Sequence, residues 1–134
     1  MKRSIRILVV DDNPAVRRGI CALLRAETDL EVVCDAASGD QAVREAEILQ
    51  PDVIVLDINM PGMDGLTAGY HIKKVAPNAE IIFLSQHDAP EIVRFALRHT
   101  GRGYVLKIDA VTELAAAVRA ASEKQQYRSS RASG

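Results

Sequence analysis

Five side chains of the 134-residue sequence could act together on a charged substrate: Asp11, Asp12, Asp57, Ser85 and Lys107. Each follows an apolar run: residues 5–10 lead into the Asp11-Asp12 pair, 53–56 into Asp57, 81–84 into Ser85, and 104–106 into Lys107. Three carboxylates brought within a few ångströms repel one another unless a cation joins them or some keep their protons. Hard oxygen ligands of this kind suit Mg²⁺, which takes only one or two protein carboxylates and retains several waters. An ammonium group opposite adds a second positive charge. A carboxylate oxygen held between a divalent cation and an ammonium is placed to attack phosphorus, because both neighbours stabilise charge on the transferring group. These residue types therefore point to an aspartate that becomes phosphorylated.

That chemistry requires a fold that brings distant strand ends to one place. The run Val53-Ile54-Val55-Leu56 is apolar throughout and is followed by Pro61-Gly62 and Asp64-Gly65, so it reads as a strand buried on both faces that opens into a tight loop. Strands are predicted at 5–10, 30–37, 53–57, 79–84 and 103–106. Asp35 interrupts the second and suits a sheet edge. Helices follow each strand. The first is capped by Asn13 with Pro14 in its first turn and buries Ala15, Val16, Ile20, Leu23 and Leu24; the second is capped by Ser38 and stopped by Pro51. The third covers 66–76, the fourth ends at His99-Thr100-Gly101, and the last runs from 111 or 112 to about 124. Five strands alternating with five helices predict an α/β fold: a flavodoxin-like, doubly wound, five-stranded parallel sheet of order 2-1-3-4-5. In that order the three acids meet at the switch point between the first and third strands.

Composition narrows the partners. With 17 Lys and Arg against 18 Asp and Glu the formal charge is -1, and no global basic field argues for nucleic acid. Cys21 and Cys34 lack metal-ligand spacing and read as reduced, structural thiols, a cytosolic pattern. No apolar run approaches the roughly 20 residues that cross a bilayer, so the expectation is a cytoplasmic protein without membrane contact. Residues 125–134 lose periodicity and turn polar and basic, the signature of a linker or disordered tail after a domain at 1–124.

Four motifs in order, Asp11-Asp12, Val-Leu-Asp57-Ile-Asn-Met-Pro-Gly-Met-Asp-Gly, Leu-Ser85-Gln-His-Asp and Gly-Tyr104-Val-Leu-Lys107, closely resemble the receiver domain of bacterial two-component response regulators. The resemblance implies that Asp57 is the phosphoacceptor, with Asp11, Asp12, Asp57 and the Asn59 backbone carbonyl around Mg²⁺. It implies further that Lys107 contacts the phosphoryl group, that Ser85 is the switch hydroxyl, and that Tyr104 turns inward when Ser85 moves. The segment after Lys107, Ile108-Asp109-Ala110, and His87-Asp88 after Ser85 resemble the NarL/FixJ-type subfamily; many receivers instead place Pro after the lysine. The implied partners are a sensor histidine kinase and a second copy in a homodimer. DNA would be reached only through a C-terminal helix-turn-helix domain that this chain does not contain, for transcription regulation. Such a domain catalyses only its own phosphorylation and dephosphorylation.

Each residue also has a blander reading. An acid or Asn13 at a strand-to-helix junction is commonly a helix cap, Ser85 can satisfy local backbone groups, Lys107 alone is a solvated lysine and Tyr104 an edge aromatic. His71, His87 and His99 lack ligand spacing and receive no catalytic role. A competing function is a constitutive dimerisation or docking module, or a stand-alone receiver acting by protein contact. A flavodoxin-like cofactor site is disfavoured because acids stand where a phosphate-binding loop belongs. An aspartate-based phosphatase would want an acid at the position of Asn59.

Overall fold

The computed structural model describes residues 3–129. Its chain order is β1 (Ile5–Val10), α1 (Pro14–Arg25), β2 (Leu30–Ala36), α2 (Gly39–Leu49), β3 (Val53–Asp57), α3 (Gly65–Val75), β4 (Glu80–Ser85), α4 (Pro90–His99), β5 (Gly101–Leu106), a 3₁₀ turn (Lys107–Asp109), α5 (Ala110–Ser122) and β6 (Tyr127–Arg128). All strand pairs are parallel, in the order β2-β1-β3-β4-β5-β6. The crossover helices return every strand in the same direction, so β1, β3, β4 and β5 end at one edge. The register sets Asp57 against Leu84 and Ser85 against Leu106, which brings the residues after β1 and β5 level with Asp57.

Two cores follow from the two faces of the pleat. Leu8, Val10, Ile54, Leu56, Ile81, Phe83, Tyr104 and Leu106 point to the side packed by α2, α3 and α4. Ile7, Val9, Val53, Val55, Ile82, Leu84 and Val105 point to the side packed by α1 and α5. Because the central strands are covered on both faces, they read as unbroken apolar runs. Helix starts are fixed locally: the Asn13 side chain accepts from the Ala15 and Val16 amides, Ser38 from Gln41 and Asp64 from Thr67.

The structure departs from the sequence reading in several places. Among the described residues the sheet has six strands, because Tyr127–Arg128, read as tail, pairs with β5. The remainder of that tail, 130–134, lies outside the described residues. Ala15 is exposed, since the apolar stripe of α1 is centred on Ile20, Cys21 and Leu24. Cys34, read from its apolar stretch as a buried structural thiol, is only half-buried because β2 is the outermost strand; both thiols are free. Among the described residues no helix is long and apolar enough to cross a membrane.

Candidate functional site

At the C-terminal edge of the sheet, Asp11, Asp12, Asn13, Asp57, Asn59 and Lys107 line a cavity of about 190 Å³. One carboxylate oxygen from each of Asp11, Asp12 and Asp57 lies within 4.8 Å of the others. Asp11 and Asp57 are buried whereas Asp12 is exposed at the mouth. Lys107 reaches in from the end of β5, its Nζ 3.2 Å from Asp11 Oδ2 and 3.4 Å from Asp57 Oδ2. The remaining oxygens are held by backbone: the Asn13 amide donates to Asp11 Oδ1 (2.9 Å) and the Asn59 amide to Asp57 Oδ1 (3.3 Å). Four of the five residues whose types suggested a common chemistry, Asp11, Asp12, Asp57 and Lys107, are thus placed together, and the fifth, Ser85, is buried at the end of the adjacent strand β4.

Burial pushes the Asp57 carboxyl up from 3.8 to about 6, and the neighbouring Asp11 carboxylate pushes in the same direction; Lys107 and the Asn59 amide oppose them. One ammonium does not offset two buried acids with a third beside them. Among the described residues Asp11 Oδ2 is buried and accepts no hydrogen bond, with Lys107 alone at ion-pair distance. An orphaned buried carboxylate oxygen next to two further acids is a donor set that fits a hard divalent cation, and the exposed Asp12 gives such an ion a way in.

Three further features were not read from the sequence. Arg17 Nη1 donates to the Asp11 carbonyl (2.7 Å) while its Nε lies 3.6 Å from Asp35 Oδ2, tying the acidic loop to the edge strand β2. Its only sequence signal is a cation one helical turn after the Asn13 cap. Gly65 serves close approach rather than a turn: a Cβ there would fall 2.1 Å from the Asp57 carbonyl oxygen, and its amide donates to Ile58 O at 2.7 Å. Third, the peptide unit around His87 joins two side chains. Its amide donates to Ser85 Oγ (3.0 Å) and its carbonyl accepts from the Tyr104 hydroxyl (2.7 Å). Tyr104 is wholly buried. His87 itself is exposed.

Comparison with known proteins agrees with this architecture. Residues 7–119 match the response regulator receiver domain family. The transcriptional regulatory protein LiaR of Bacillus subtilis is 37% identical over 130 residues, which cover 97% of this chain and 62% of LiaR. A protein-glutamate methylesterase/protein-glutamine glutaminase of Caldanaerobacter subterraneus subsp. tengcongensis is 51% identical over 85 residues, 63% of this chain and 23% of that protein. The solved signal receiver domain of the response regulator NarL from Mycobacterium tuberculosis superposes with a TM-score of 0.86 at 32% identity, covering 91% of this chain and 98% of that one. The chain belongs to the response regulator receiver domain family, and within it to the NarL/FixJ type. It spans less than two thirds of the length of either curated relative.

Proposed function

We propose that Asp57 accepts a phosphoryl group from the phosphohistidine of a partner kinase. The observation that carries this reading is the shared Lys107, held by both buried acids, beside an Asp11 oxygen that lacks a hydrogen bond. An Asp57 carboxylate oxygen forms the new bond to phosphorus as the bond to the imidazole nitrogen breaks; the nitrogen keeps the electron pair and takes a proton. Lys107 stabilises charge on the phosphoryl oxygens, and the Asn59 amide orients the attacking carboxylate. Asp11, Asp12, Asp57 and the Asn59 backbone carbonyl would hold Mg²⁺, which when bound supplies positive charge to the phosphoryl oxygens. Hydrolysis of the acyl phosphate resets the switch.

Ser85, buried at the next strand end, is the hydroxyl that turns onto a phosphoryl oxygen, and Tyr104 follows through the His87 peptide unit that both touch. The receiver unit runs past the boundary at 124 expected from the sequence, since Tyr127–Arg128 pairs with β5. The likeness to LiaR, a transcriptional regulatory protein, supports transcriptional control as the output; DNA contact through a helix-turn-helix domain outside this sequence and pairing with a second copy complete this reading. The likeness to a methylesterase shows that related receiver segments also occur in larger enzymes. A constitutive docking module draws support from Tyr104 already lying buried. Intact-mass measurement after incubation with a small-molecule phosphodonor separates the readings. One phosphoryl group, added only with Mg²⁺ and only when Asp57 is present, is expected; no addition under any condition leaves the docking module.

A further inference from the structure

Tyr104 stands on β5, which would be the edge of a five-stranded sheet, yet its side chain is wholly buried. The outer edge of β5 is paired by the chain's own continuation beyond α5. Tyr127 pairs with Gly103 and Arg128 with Tyr104, and the Ser129 amide donates to the Tyr104 carbonyl at 2.8 Å. Two residues of strand are too few to hold by ladder bonds alone. Side chains anchor both ends: the Tyr127 hydroxyl donates to Glu113 on α5 (2.7 Å), and the Ser129 hydroxyl is hydrogen-bonded to the Asp109 carboxylate. Ser129 and Asp109 are both buried.

The anchors lie on the moving parts of the proposed switch. Asp109 ends the 3₁₀ turn that begins at Lys107, so the residue paired with Asp57 and the residue that grips Ser129 belong to one short turn. Tyr104 offers its carbonyl to the Ser129 amide and its hydroxyl to His87. We propose that residues 127–129 are a strap that closes the β5 edge over Tyr104 and holds its ring inward, so that the C-terminal end of the receiver and the Asp57 site bias one another. This rests on the phosphoryl-switch reading above. With Arg128 in register beside it and its carbonyl held by the Ser129 amide, Tyr104 sits on a paired edge instead of a free one. Docking of the strap therefore favours the state in which Tyr104 meets His87 and the His87 amide holds Ser85. Binding free energies are reciprocal, so phosphorylation that draws Ser85 and Tyr104 inward also tightens the strap.

The test uses the full chain labelled with fluorotyrosine, the Tyr104 resonance being assigned with Tyr104→Phe. In the wild type the Tyr104 ring is expected to be shielded from solvent. In Ser129→Ala, and further in Ser129→Ala combined with Tyr127→Phe, it moves toward solvent, and the amide of residue 129 exchanges about tenfold faster, as befits the loss of one hydrogen bond to a charged group. Adding phosphodonor and Mg²⁺ slows that exchange in the wild type and returns the ring inward in the variants, in step with the mass gain. A ring that stays shielded in both variants overturns the strap. Phosphoryl uptake that leaves amide exchange and ring position unchanged overturns the coupling. Absence of any mass gain removes the phosphoryl reading and the coupling with it, and is told apart by the ring's response in the unmodified variants.

Discussion

Asp57→Asn is expected to stabilise the metal-free chain. The substitution keeps the shape of the side chain and removes a charge held in a buried site next to Asp11. Raising a carboxyl from 3.8 to about 6 means that the folded chain binds more protons than the unfolded one between those values. Stability from this group therefore falls as pH rises from about 4 to about 6 and stays at its lowest above that. The displacement corresponds to about 3 kcal/mol at neutral pH, and the attraction of Lys107 is already included in it. The asparagine amide has its own desolvation cost, so a gain of about 1–3 kcal/mol is expected. For a domain of this size that is a rise of roughly 4–12 °C in melting temperature. The assay is urea denaturation of both chains in EDTA from pH 4 to pH 8, reading the difference between them so that other titrating groups cancel. The two curves should meet near pH 4 and diverge to a plateau above pH 6. A variant no more stable than the wild type at pH 7.5, with the same pH slope, would refute the claim that Asp57 is held ionised against its surroundings.

Lys107→Gln withdraws the cation facing Asp11 and Asp57, so the Asp57 titration should move above about 6, seen as a stability decline extending to higher pH in the same denaturation series. Gly65→Ala sets a methyl against the Asp57 carbonyl, and a loss of about 1–3 kcal/mol in urea together with slower phosphoryl uptake is the expected pair of effects. Full stability with slowed uptake would instead place the strain in the loop alone. Phe83→Ala empties a fully buried site whose ring packs where Gly69 and Gly101 have no side chain, and calorimetry should show a loss of about 3–5 kcal/mol.

The sheet was legible because parallel strands covered on both faces need apolar residues at every position, which leaves runs such as Val53-Ile54-Val55-Leu56 that a helix stripe does not give. The convergence of Asp11, Asp57 and Lys107 followed from topology, since parallel strands all finish at one edge. What pattern did not give depends on single contacts. Tyr127–Arg128 has no apolar run because it covers an edge instead of filling a core, and side-chain bonds to Glu113 and Asp109 hold it. Arg17 acts through one bond to the Asp11 carbonyl, which no spacing encodes. Gly65 reads as a turn residue in sequence; only the approach of α3 to the Asp57 backbone explains why a side chain does not fit. Ala15 sits at the edge of its helix stripe, where small apolar residues tolerate either environment.

The central claim is that Asp57 itself takes the phosphoryl group, and it is tested most directly by trapping the acyl phosphate. After incubation with phosphodonor and Mg²⁺, borohydride reduction converts a phosphorylated aspartate to homoserine, which peptide mass spectrometry locates by residue. Homoserine at position 57 alone, absent without Mg²⁺, is the expected result. Homoserine at position 11 or 12, or at none of the acids of the site despite a gain of one phosphoryl group in the intact mass, would contradict it.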